Sequence, residues 1–141
     1  MSTSATARRF FEEVWSEGNL DLVDELVAPG YVGHPSGPEE PVRGPGGVRE
    51  YVARLRDGVS DLTVTVEDQV AEGGTVATRW IARGTHDGEL MGIGPTGRAA
   101  AITGITIQRI GRDGRILEGW TNWDALGMLQ QLGVEPQPAG R

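Results

Sequence analysis

Near residue 60 the spacing of apolar side chains changes from three-and-four to two, and this change constrains the fold more than any other feature. Ahead of it, Ala7, Phe10, Phe11, Val14 and Trp15 stand at i, i+3, i+4, i+7 and i+8, the stripe of an amphipathic helix. Gly18-Asn19 ends that helix, and Asn19 can cap a short second one carrying Leu22, Val23, Leu26 and Val27. A third helix repeats the spacing with Val48, Tyr51, Val52 and Leu55. Beyond the change, Leu62, Val64 and Val66 alternate with Thr63, Thr65 and Glu67, the pattern of a half-buried strand. Strand-like runs recur over 75–86, 99–110 and 115–123, with turn residues at Gly73-Gly74 and Arg112-Asp113-Gly114. A last helix is expected from Asp124, carrying Leu126, Met128 and Leu129 towards Gly133. Helices first and hairpin-linked strands after them predict an α+β fold, three N-terminal helices against a curved, mostly antiparallel sheet.

A chain of 141 residues without internal repeats fits one domain over 1–141, with residues 1–6 and 134–141 expected to fray. Residues 28–47 hold five Pro and six Gly and are expected to form a long loop, a length that is usually functional or partly disordered. No apolar run approaches the ~18 residues of a membrane span, and the N-terminus lacks a signal-peptide core. A soluble, cytoplasmic protein is therefore expected. A net charge of −7 without a basic stripe argues against nucleic acid and anionic membrane as partners. There is no Cys, so thiol nucleophiles and disulfides are excluded. All 13 basic residues are Arg, which excludes Schiff-base chemistry and a P-loop lysine. The two histidines, His34 and His86, stand too far apart in sequence to suggest a metal site, and no metal is expected.

The stretch 84–98 reads GTHDGELMGIGPTGR, and Gly92-Ile93-Gly94-Pro95-Thr96-Gly97 fits the G-x-G-x-x-G pattern of dinucleotide-binding loops. Such a fingerprint needs a helix after it. Here the following run, residues 98–110, is β-branched and reads as strand, while Pro95 removes an amide that phosphate would want. The stretch is better read as a wide connection between two long strands.

The same residues carry a family likeness. GTHDGELMGIGPTG resembles the GTHxGxxxGxxPTG signature of the SnoaL-like polyketide cyclases, of the nuclear transport factor 2-like superfamily. Val66-Glu67-Asp68 with Val76-Ala77-Thr78-Arg79-Trp80 resembles the strands before it. Ile116-Leu117-Glu118-Gly119-Trp120, Asp124 and Gln131-Leu132-Gly133 resemble the family's ending, and Phe11, Trp15 and Gly18-Asn19-Leu20-Asp21 its start. The likeness spans roughly residues 7–133. It implies a cone-shaped α+β barrel, commonly dimeric, with a deep apolar cavity and no cofactor. It also implies ring closure by intramolecular aldol condensation, in which one carboxylate serves as base and then as proton donor. In those cyclases the acting aspartate occupies the position of Thr121 here, and two ligand-contacting polar residues align with Ile105 and Ile107. By that alignment the fold carries over and the aldol constellation does not.

Four side chains remain as candidates for proton transfer. Asp124 either caps the last helix or acts as an acid; His86 either shuttles protons or bonds to the glycine loop. His34 either lines the pocket or belongs only to the long loop. Glu118 is a catalytic carboxylate or an Arg-paired sheet residue, on the face opposite Thr121 unless a bulge near Gly119 reverses it. The expected pocket residues are Tyr31, Trp80, Ile105, Ile107, Trp120, Thr121, Asn122 and Trp123. The partner expected is a small apolar organic ligand, with a homodimer implied by the resemblance. Three functions stay open: a cofactor-independent acid/base cyclase or isomerase acting on a carbonyl-bearing secondary metabolite, an epoxide-opening hydrolase or cyclase, and a non-catalytic binding relative.

Overall fold

Ser2 starts the structured chain: its Oγ accepts from Ala5 N at 3.1 Å and caps α1 (Thr3–Arg9). The computed structural model describes residues 2–135. Residues 2–6, expected to fray, are folded, because this cap and the buried Thr6, whose hydroxyl donates to Ser2 O, tie them down. The last expected frayed residues, 136–141, lie outside the described ones. After Arg9 the helix widens into a π-helical segment, Phe10–Ser16, which keeps Phe10, Phe11 and Val14 on the buried side. Arg56 closes its open carbonyl end, one guanidinium nitrogen donating to Trp15 O at 2.7 Å and Ser16 O at 2.9 Å.

The segment 28–47 corrects the expected long loop. A 3₁₀ turn (Leu20–Leu22) leads into a short α2 (Val23–Leu26), and Val27 opens a strand instead of closing the helix. β1 (Val27–His34) and β2 (Val42–Arg43) form a small antiparallel pair, leaving only 35–41 irregular. Pro29 and Gly30 hid the strand. They sit where its pairing slips, since Val27 faces Ile116 but Val32 already faces Glu118, so the missing proline N–H interrupts no regular ladder. α3 (Gly44–Gly58) follows, with Pro45 in its first turn and Val48 and Val52 buried.

The remaining strands form a meander: β3 (Thr63–Glu72), β4 (Thr75–Thr85), β5 (Ala99–Ile110) and β6 (Ile116–Trp123). The sheet order is β2-β1-β6-β5-β4-β3, antiparallel except where β1 runs parallel to β6. The sheet is thus mixed and open, because β2 and β3 end it without meeting. Asp124 caps α4 (Ala125–Leu132) by accepting from Gly127 N at 2.8 Å, and Gly133 ends it in the left-handed conformation. One core joins the N-terminal helices to the sheet, with Val14, Val23, Val52, Val76 and Ile116 fully buried.

The glycine-rich stretch connects β4 to β5. His86 and the 97–98 backbone exchange hydrogen bonds of 2.9 Å, and Leu90 and Ile93 pair across the tip. A strand follows Gly97, not a helix, so the phosphate-binding geometry of a dinucleotide fingerprint is absent.

Candidate functional site

Between the sheet and the helices lies a cavity of about 210 Å³. Phe10, Phe11 and Trp15 of the π-helical segment form one wall, and Val48, Tyr51 and Leu55 of α3 another. The sheet contributes Trp80 and Ala82 from β4, Ile102, Thr106 and Gln108 from β5, and Gly119, Thr121 and Trp123 from β6. Tyr31, Gly33 and His34 border it where β1 ends, and Leu90 and Met91 of the glycine-rich connection reach its edge. Its lining side chains include no Asp and no Glu.

The parity of β5 is the reverse of that expected. Thr106 and Gln108 point inward, whereas Ile105 and Ile107 lie on the outer face, 50% and 43% exposed. Trp120, paired with Ile107, and Asn122, paired with Ile105, share that outer face and do not line the cavity. Inward and outward alternate strictly along the strand. What fixes the phase is Gly104: the Trp80 indole lies over it in space a β-carbon would fill. The polar positions inferred to be lost at 105 and 107 are therefore not pocket positions, and the inner face keeps two polar residues one step along. Tyr31, Trp80, Thr121 and Trp123 do face the cavity.

Gln108 is the most telling of these groups. Its side chain is fully buried, and neither its Oε1 nor its Nε2 has a hydrogen-bond partner. Buried amides are normally paired, and leaving one unpaired costs about 1–3 kcal/mol per group. Two glycines let the Tyr31 hydroxyl come close to it. A β-carbon at Gly119 would sit 3.2 Å from the Tyr31 hydroxyl and 3.5 Å from Gln108 Cγ, and one at Gly33 would collide with the same hydroxyl. Burial pushes the Tyr31 phenol up to about 12, so it is a donor at neutral pH. Tyr51, packed edge-on against Trp15, is likewise pushed up to about 12 by burial, with a contribution from Glu39.

Three further polar groups satisfy one another. Trp80 Nε1 donates to Thr106 Oγ1 at 3.0 Å, and Thr106 and Thr121 hydroxyls are 2.9 Å apart. Thr121, at the position of the cyclase aspartate in the resemblance, thus presents a hydroxyl to the cavity.

The proton-transfer candidates are not brought together. Glu118 lies on the outer side of β6, its carboxylate shared between His34 Nε2 at 2.8 Å and Arg109 Nη2 at 3.2 Å. The slip in pairing falls at Leu117, before Gly119, so Glu118 keeps the face opposite Thr121. The His34 ring stacks on Trp120 with centroids 5.4 Å apart. His86 is buried, held between Thr96 Oγ1 at 3.0 Å and Ile93 O at 3.2 Å, and faces only a side void of about 50 Å³. Asp124 is committed to its cap. Among the described residues no cluster of three His, Asp or Glu side chains is placed to hold a metal ion, and no helix is long and apolar enough to cross a membrane. Gln108, Thr106 and Tyr51 were missed as site residues. Gln on a strand beside Gly104 and Thr106 was the available signal, and the two isoleucines masked it.

An open sheet folded over helices with an apolar chamber between them defines a class of cavity-bearing α+β folds. The sequence profile of the SnoaL-like polyketide cyclases matches residues 5–132, and the chain belongs to that family. Among solved structures it is similar to IdmH of Streptomyces antibioticus, a candidate polyketide cyclase. That likeness has 39% identity and a TM-score of 0.83 over 95% of this chain and 100% of the other. A candidate SnoaL-like polyketide cyclase of Jannaschia sp. CCS1 is similar at 25% identity, with a TM-score of 0.85 over 95% and 93% of the two chains. TsrD of Streptomyces laurentii is similar at 29% identity, TM-score 0.81, over 94% and 95%. No protein of curated function matches the chain.

Proposed function

We propose that this protein is a cyclase or isomerase of small, apolar, carbonyl-bearing metabolites that works by confinement and hydrogen bonding, without a cofactor and without a carboxylate base in its cavity. The observation that carries this reading is the unpartnered Gln108 amide on the wall of a mostly apolar chamber. An unpaired buried amide on a cavity wall gains the hydrogen bonds it lacks when a ligand brings a polar atom to it. Gln108 Nε2 and the Tyr31 hydroxyl are the donors for a substrate carbonyl. Donation to that oxygen polarises the carbon and stabilises negative charge as it develops, while the aromatic walls hold the chain folded on itself. Tyr31, kept protonated by burial, donates a hydrogen bond to the same oxygen without giving up its proton.

This reading gives no chemical role to Asp124, His86 or Glu118, each of which is engaged in structural hydrogen bonds. Epoxide opening needs an acid and a base that converge, and the lining offers only His34, bonded to Glu118, and phenols held protonated by burial. The carboxylate-free lining favours a second reading, a binding protein without turnover. The two are separated by incubating the protein with linear aromatic or polyene carbonyl compounds and following product by chromatography and mass. Cyclase function predicts an isomeric product whose formation falls at least tenfold in Gln108→Leu and stays within twofold in Glu118→Gln and Asp124→Asn. Ligand binding without product in any compound tested supports the binding reading, and loss of product in Glu118→Gln sinks the assignment of roles. We further propose that two copies associate through the outer sheet face bearing Ile105, Ile107 and Trp120.

A further inference from the structure

Among the described residues, Gln108 alone has buried side-chain polar atoms with no partner, and it has two of opposite kind: Oε1 accepts and Nε2 donates. The pair lies on one planar edge of the amide, so no rotation satisfies one atom by turning the other away. The other polar groups on the sheet side of the cavity do not ask for a ligand in this way, because Trp80, Thr106 and Thr121 bond to one another. We propose that the molecule held here presents a donor and an acceptor side by side on a flat edge, as a carboxamide, a lactam or an undissociated carboxylic acid does. Gln108 reads that edge through two parallel hydrogen bonds. The inference rests on the cavity being the ligand site and adds the chemical class of the buried end.

The discrimination follows from what each alternative leaves unpaired. A ketone or ester pairs Nε2 and strands Oε1 in an apolar wall, at the cost of that group's desolvation. An ionised carboxylate offers acceptors only, strands the same oxygen and brings a charge into an apolar chamber. A hydrocarbon end strands both atoms. Gly119 has no β-carbon between the Gln108 side chain and the Tyr31 hydroxyl, so the phenol stands close beside Gln108 as a further donor for the same ligand end. Sites built to hydrogen-bond a substrate N–H or O–H reject analogues lacking it far more strongly than apolar pockets reject a methylene.

The test compares 2-naphthamide with methyl 2-naphthyl ketone, which replaces the NH₂ by a methyl group of similar size. Binding is read by quenching of the intrinsic fluorescence, since Trp15, Trp80 and Trp123 all line the cavity. The parent protein is expected to bind the amide at least tenfold more tightly than the ketone. In Gln108→Leu and Gln108→Met the ratio falls to about one, within the range of a single lost hydrogen-bond pair. Both variants fold at least as well as the parent, because each removes two unsatisfied buried atoms. Equal affinity of the parent for the two probes, or a preference that survives in both variants, overturns the donor–acceptor edge while leaving the cavity as a ligand site. Failure of both probes to bind the parent at all overturns the cavity reading together with it.

Discussion

The Trp80 indole lies across Gly104, and from there its Nε1–H reaches Thr106 Oγ1 at 3.0 Å. The glycine is required by the ring, and the ring's hydrogen bond in turn sets the hydroxyl pair that faces the cavity. Gly104→Ala places a methyl group where the indole sits, so the ring must leave or the strand must shift. The expected loss is about 1–3 kcal/mol in urea unfolding, the usual penalty of overpacking, with a change in tryptophan emission before unfolding begins. Thr106→Val leaves the indole N–H unpaired and costs about 1–3 kcal/mol, whereas Thr106→Ser retains the bond. Parent-like stability in Gly104→Ala would mean that the indole does not occupy this space.

Alkaline stability isolates the two phenols. The chain has only Tyr31 and Tyr51, and its basic residues are all Arg. No lysine titrates in the same range. Burial holds both phenols at about 12, above the ordinary value of 10.0. Between these values the unfolded chain has lost protons that the folded chain keeps, so stability falls as pH rises through that window. Unfolding free energy measured from pH ~9 to ~12 should decline on the order of 1 kcal/mol or more per tyrosine, and tyrosinate absorbance should appear late. The double change Tyr31→Phe, Tyr51→Phe should flatten that decline. A normal phenol titration in the folded parent would contradict the burial of both.

Most of the fold was legible because its signals are periodic and local. The stripe from Ala7 to Trp15, the alternation after Leu62, the turn glycines and the Asp124 cap each follow from nearest neighbours along the chain. β1 was not legible, since Pro29 and Gly30 mark loops and its partner strand lies about 85 residues away in sequence, a separation no local pattern spans. The site was half legible. Trp80 and Thr121 border the cavity, but the phase of β5 was misjudged because the family alignment set 105 and 107 at the inward-facing, ligand-contacting positions. Ile105 and Ile107 face out, and the polar Thr106 and Gln108 face in. A cavity inverts the usual rule: its wall can carry polar atoms that a solid core would reject.

Thr121→Asp tests how apolar that wall is. A carboxylate introduced among Trp80, Trp123 and Ile102 is desolvated, which raises its folded-state pKa above the ~3.9 of the unfolded chain. The folded state then binds a proton that the unfolded state has released. The variant should therefore lose stability relative to the parent as pH rises above about 4, until the folded-state pKa is passed, and approach the parent at lower pH. Urea midpoints of both proteins across pH 4–8 measure this difference. A gap that does not change with pH would place position 121 in water.

The outer sheet face carries the proposed contact between two copies. Ile107 and Trp120 oppose each other across β5 and β6, and Ile105 lies two residues along, all of them 38% exposed or more. A side chain alternating outward on a strand cannot join the core without moving its neighbours in the opposite direction, so Gln108 and Thr106 inside oblige Ile105 and Ile107 outside. An exposed apolar patch with charged neighbours suits a two-fold contact in which the same surface meets its own copy. Ile107→Arg puts a charge at its centre and, when two copies meet, a second like charge opposite. Light scattering after gel filtration should report a dimer for the parent and a monomer for the variant at micromolar concentration. The variant's thermal stability, measured at low enough concentration for both to be monomeric, should differ little, since an exposed substitution typically shifts stability by about 0.5 kcal/mol or less. A parent that is already monomeric under these conditions removes the proposed interface.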